Sequence, residues 1–388
     1  MAALRVLEWM ERAPVQARVA AVAPLVRTLF TARLSEEQRD SLDTTLTMLL
    51  DDPSVDVRRA LAEALAVQEY APRHLIVALS QDMPLVAEVV FRRSPCLIDS
   101  ELIEAVGGGG ERVQTAIATR PWISVNVSEA LADEGCRAAV LAMLGNDGAD
   151  LDEVAFRIIA GRFGDDGALR EAMFARSDLP LAVRQSLIAS LGAKLNLFLT
   201  SRSWMSEKRA TAVVRDACDK ATVHLAADAD GEELADLVEH LRASGQLTTS
   251  LLIRSMCQGH VRLVEAALTR LTGLPSRRVC ALLVDGRESA LRALFTRAGL
   301  PERSHAAFVV ALDVWRDLDF DGREGERPRY GRRMIERILT RYQNFAPGEV
   351  DDLMAMLRRL AAEAARETAR HHAERRRAEA ARQDQRVA

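Results

Sequence analysis

Arg333, Arg337 and Arg341 recur at intervals of four, and Arg327, Arg329 and Arg332 stand just before them. On a helix this spacing gathers guanidinium groups on one face and leaves Ile335, Ile338, Leu339 and Tyr342 on another. Permanently charged, planar groups in a row suit phosphate or carboxylate ligands, so these six arginines are the candidate partner-binding residues. A plain solvated face of an arginine-rich chain is the alternative. Catalysis has no comparable case. Asp236 and His240 lie four apart and can share a helix face, but one histidine with one carboxylate is not a metal site, and a surface ion pair is the simpler reading. Gly107–Gly110 precedes a helix start, as an anion-binding loop does, yet it lacks the following Lys-Ser/Thr and the preceding strand of a phosphate loop. It reads as an inter-helix connection. No G-x-S-x-G occurs. The expectation is a non-enzyme with no catalytic residues, metal or cofactor.

The elements that must carry such a surface are helical. Apolar residues make up 48% of 388, enough for a sizeable core, whereas aromatics are 4%, and Ala, Leu, Val and Arg dominate. No run reaches the eighteen or so apolar residues of a membrane span. Near the N-terminus Arg5, Glu8, Glu11 and Arg12 are scattered among apolar residues, so a secretory leader is not expected. Five widely spaced cysteines without a C-x-x-C fit reduced thiols packed as small hydrophobes, and a cytoplasmic setting follows. Trp122 and Trp315 are expected in the core, exposed anchors being the alternative. Charge is uneven: residues 323–386 hold sixteen Arg, no Lys and eleven acids, for +5, which leaves −9 elsewhere. An acidic body argues against wrapping nucleic acid.

Repetition organises the chain. Asp52, Val57, Arg58, Leu61 and Leu65 share a frame with Asp178, Val183, Arg184, Leu187 and Leu191. Turn signals recur at short intervals, Pro95 and Pro121 lying 26 apart, and T-R-L-T-G-L-P (269–275) returns as T-R-A-G-L-P (296–301). Each Gly of these tripeptides suits a left-handed helix end with Pro beyond it. Ser35 and Gln38 predict a capping box, Pro14 and Pro24 predict a break among the first helices, and Asp52-Pro53 predicts a helix start. A period near 26 to 31 residues is that of stacked helical units.

The Asp-Pro, Val-Arg frame resembles HEAT-type repeats. That resemblance implies that Asp52 and Asp178 cap turns while Arg58 and Arg184 bind neighbouring carbonyls in a stacking ladder. After Asp82 the matching positions are Ala87 and Glu88, so the frame is kept in only two units. The order of D-D-P-S-V-D-V-R (51–58), R-S-P-C-L-I-D (93–99), A-R-S-D-L-P (175–180) and G-Q-L-T-T-S-L-L-I-R (245–254) also resembles the bacterial family named domain of unknown function 2336. An all-α fold is expected: an α-solenoid of degenerate HEAT-like repeats with a C-terminal helical extension. Its parts are N-terminal helices (1–34), a repeat array (35–195), a second helical segment (196–318), a linker (319–331) and an arginine-rich end (332–388). The expected function is a non-catalytic cytosolic scaffold binding a protein through its helical surface. The alternative is nucleic-acid binding of the HEAT-like DNA-repair type through the arginine-rich end.

Overall fold

A computed structural model of the protein describes residues 9, 12–317, 334–340, 354–355, 357–366, 369–370, 373 and 376–377. Every regular element among them is a helix, and the one isolated β-bridge joins Ile123 and Ala149. No described helix is long and apolar enough to cross a membrane. The chain divides into two units, Met1–Val183 and Arg184–Ala388.

The first unit contains α1 (Val15–Thr31), α2 (Glu36–Met48), α3 (Val55–Leu65), α4 (Arg73–Ser80), α5 (Pro84–Arg93), α6 (Asp99–Gly108), α7 (Glu111–Ala118), α8 (Val125–Glu134), α9 (Arg137–Leu144), α10 (Glu153–Phe163) and α11 (Gly167–Ala175). Local chemistry sets most of their ends. Ser35 and Gln38 form the expected capping box, with Gln38 N–H donating to Ser35 Oγ at 3.3 Å and Ser35 N–H to Gln38 Oε1 at 3.0 Å. Two expectations are corrected. Pro24 lies inside a continuous α1, and only Pro14 marks its start. The residue entering α3 is Ser54, while Asp52 Oδ1 accepts the Ser54 N–H at 2.8 Å, so Asp52 tightens the preceding turn.

Packing in this unit follows a skip-one rule. α1, α3, α5, α7, α9 and α11 pack in succession as one row, and α6, α8 and α10 as another. Apolar residues at helical spacing explain it: Val57, Leu61, Ala62 and Leu65 of α3 are fully buried. Each buried Leu or Val contributes about 1.5–3 kcal/mol relative to exposure.

Short helices leave many bare carbonyls at their C-termini, and arginines two helices further on cover them. Arg120, which follows α7, donates to Phe91 O and to Ser94 O (2.8 Å) at the end of α5. Arg162 of α10 serves Ala132 and Gly135 at the end of α8. Arg176, after α11, serves Leu144, Asn146 and Ala149 beyond α9. A cation there also meets the negative end of the helix dipole. Burial lowers the Arg120 guanidinium from its ordinary value, with Asp99 opposing.

The second unit comprises most of α12 (Leu181–Ser201), then α13 (Glu207–Asp228), α14 (Gly231–Ala243), α15 (Thr249–Cys257), α16 (Val261–Thr272), α17 (Ser276–Asp285), α18 (Glu288–Arg297) and α19 (Glu302–Asp317). Helical residues 334–340 (α20) and 357–366 (α21) complete it. The same covering device recurs, Arg297 reaching Thr272 O (3.1 Å) and Arg316 reaching Leu283 O and Gly286 O. Gly273 and Gly299 adopt φ of 67° and 72°, the left-handed geometry expected of both Gly-Leu-Pro tripeptides.

Candidate functional site

Among the six candidate arginines, Arg337 is the one within the described residues. It is exposed on α20, with Nη1 3.9 Å from Asp317 Oδ2. Arg327, Arg329, Arg332, Arg333 and Arg341 lie outside the described residues. The stacking residues are better placed. Arg58 bonds Asp82 through two nitrogens (2.6 and 3.0 Å) and donates to Asp52 O at 2.7 Å. Asp82 thereby receives the arginine of the preceding frame although its own frame has none, and Arg58 holds its carboxyl below the usual range. Asp52 pairs with Arg18 at 3.0 Å. Asp178 is held by Arg176 at 2.6 and 2.8 Å, two residues before it, and Arg184 is half-buried in the first turn of α12. His240 meets Ser186 Oγ at 3.1 Å, and Gly107–Gly110 closes α6 and opens α7. Trp122 corrects the core expectation: it is 61% exposed, its Nε1–H reaching Asp150 at 3.2 Å, whereas Trp315 is half-buried.

Among the described residues of the second unit is one charge cluster that residue spacing did not reveal. Arg254 on α15 is 2% exposed and donates from Nη1 to Glu363 Oε2 of α21 at 2.8 Å. Lys220 of α13 reaches the other oxygen of Glu363 at 2.9 Å. Asp216 of α13 accepts from Arg359 Nε at 2.8 Å and lies 3.7 Å from Arg254 Nη2. Burial raises the Glu363 carboxyl, but the bonds from Lys220 and Arg254 outweigh it and hold it below its ordinary value. One turn away Asp219 is buried and bonded by Ser250 Oγ at 3.1 Å; desolvation dominates there and raises its carboxyl. Burial likewise pushes the Cys257 thiol up to about 12, which makes it unreactive at neutral pH.

These pairs fix α21 against α13, helped by Leu357, Leu360 and Ala364, which recur at helical spacing and are buried. Between the two helices runs a groove of about 1170 Å³. It is lined by Lys208, Arg209 and Lys220 from α13, by Arg359, Arg366 and Arg370 from the C-terminal helical residues, and by the small apolar side chains of Ala212, Val213, Ala217 and Ala362. A smaller cavity of about 390 Å³ between α12, α13 and α14 is crossed by a relay from Thr222 Oγ1 to Gln185 Oε1 and from Gln185 Nε2 to Gln246 Oε1, each 2.9 Å. Among the described residues no group of three His, Cys, Asp or Glu is arranged to hold a metal ion. One sequence signal did point to the groove. The chain has three lysines, Lys194, Lys208 and Lys220, all within one short stretch, and two of them line it.

No curated protein and no solved structure matches the chain. Residues 86–348 match the family described as an uncharacterised protein conserved in bacteria (DUF2336), a span that takes in α6 to α20 and includes Arg254 and Lys220. More than half the chain is matched, and it therefore belongs to that bacterial family.

Proposed function

We propose that the protein is a non-catalytic, cytoplasmic scaffold whose HEAT-like helical units stack as an α-solenoid and present a surface to another protein. One observation carries the reading: in both units, arginines reach back 25 to 33 residues to cover carbonyls two helices earlier. A device repeated at a similar sequence interval builds a regular array, and regular helical arrays offer extended binding surfaces. The test is reconstitution. A partner identified by in-cell crosslinking, purified and mixed with the full chain, is expected to form a complex of defined stoichiometry by light scattering. Absence of any partner that reconstitutes, together with turnover of a small molecule by the purified chain, would sink the reading.

A second reading, nucleic-acid binding, is favoured by the basic edges of the groove between α13 and α21. It predicts affinity for duplex DNA that falls steeply with salt. Filter binding by the full chain at two ionic strengths decides it.

A further inference from the structure

We propose that the groove between α13 and α21 is the docking site for an acidic amphipathic helix of a protein partner. The proposal rests on the scaffold reading and names the surface and the chemistry of its occupant. Three features carry it. First, the groove is basic in a chain of net charge −4: six cations line it against two acids, Asp216 and Glu363. Both acids are engaged, Asp216 by Arg359 and Glu363 by Lys220 and Arg254, so they tie the walls together and leave the edges positive. Lys208, Arg209, Arg366 and Arg370 are exposed, and none makes a hydrogen bond or ion pair among the described residues.

Second, both sides of the groove supply cations. Lys208 and Arg209 occupy the first turn of α13, whose amide end adds positive potential, and Arg366 and Arg370 lie one turn apart on the facing wall. Third, Ala212, Val213, Ala217 and Ala362 line the groove beside the cations, and Val213, Ala217 and Ala362 are exposed. These side chains are short enough to let another backbone approach and too apolar to solvate phosphates. An amphipathic helix meets all three conditions, with an apolar stripe against the alanines and Val213 and carboxylates towards the cations on both sides. The lining runs from Ser206, the cap of α13, to Lys220, so the seat is about 21 Å long, matching about fourteen residues of ligand helix. A polynucleotide suits the cations but gains nothing from the apolar side chains between them.

The test uses the full chain. A display library of random helical peptides about 16 residues long is panned on it. Enriched sequences are then measured by fluorescence anisotropy against the wild type, Arg366→Glu/Arg370→Glu and Lys208→Glu/Arg209→Glu. The exchanged residues are exposed, so folding is checked by an unchanged thermal transition. Enriched peptides are expected to carry an apolar stripe flanked by Asp and Glu, and each double variant is expected to weaken binding at least tenfold. A duplex DNA of about 20 base pairs is expected to compete poorly at physiological salt. The proposal is overturned if enriched peptides lack acidic bias, if nothing enriches, or if DNA displaces them at equal concentration. Acidic peptides that bind both reversed variants as tightly as wild type also overturn it, while leaving the scaffold reading intact.

Discussion

Arg254 and Glu363 are separated by 109 residues of sequence and by 2.8 Å between Nη1 and Oε2. Because the guanidinium is 2% exposed, its charge depends on Glu363 and on Asp216 at 3.7 Å for compensation. The pair therefore helps to hold α21 on α13 and α15, together with the Lys220–Glu363 and Arg359–Asp216 pairs, and so helps to shape the groove.

Breaking one side of that pair is expected to cost more than removing both. Glu363→Gln strands a buried cation and should destabilise by about 3 kcal/mol, the scale for an uncompensated buried charge, softened by Asp216. Arg254→Met with Glu363→Gln should recover part of the loss. A denaturant double-mutant cycle checks this; additive losses would show that the two residues do not act as a unit.

Two carboxyls of this cluster should respond to pH in opposite senses. Glu363 has a folded value lowered from an ordinary 4.5, so its contribution is complete above 4.5 and fades as pH falls through the folded value. Asp219 has a folded value raised from 3.8, so it imposes no penalty below 3.8 and an increasing one as pH rises through the folded value. Asp219→Asn should accordingly raise the melting temperature at pH 7 by a few degrees and leave it unchanged near pH 3.5. Glu363→Gln should lower it at pH 7, with the deficit closing as pH falls below 4.5 towards the lowered folded value. Melting curves across that range give the two signs.

The carbonyl-covering arginines should be worth more than the surface ion pairs. Arg120→Met leaves Phe91 O and Ser94 O bare, at about 1–3 kcal/mol for each buried acceptor. Arg59→Ala, which removes an exposed pair with Glu63, should change stability by less than about 0.5 kcal/mol. Urea unfolding of both variants tests the contrast.

Two glycines predict opposite outcomes for the same exchange. A Cβ on Gly148 would stand 2.0 Å from Pro121 O, beside the Ile123–Ala149 bridge, so Gly148→Ala should destabilise by about 1–3 kcal/mol. Gly161 lies inside α10 with nothing within 4 Å, so Gly161→Ala should stabilise by about 0.5–1 kcal/mol. Thermal denaturation separates them.

Local signals made much of the fold legible: the Ser35 capping box and both Gly-Leu-Pro ends follow from short-range rules. Pro24 misled because a helix tolerates an interior proline when packing holds it, as Val22 and Val26 do here. The groove was hidden for a different reason. Lys208 and Arg366 belong to helices far apart in sequence, and their meeting depends on Arg254 finding Glu363, which no spacing encodes. Lysine usage was the trace available, and arginine abundance masked it.

The interval between an arginine and the carbonyls it covers sets a timetable for synthesis. When α5 leaves the ribosome its last carbonyls have no arginine to meet, because Arg120 lies 26 to 29 residues downstream. At about 5–20 residues per second, closure lags emergence by roughly 1.5–6 s. Helices α5, α8 and α9 thus each wait, partly finished, for a later arginine, and a stall in translation would expose one open helix end rather than an unfolded domain.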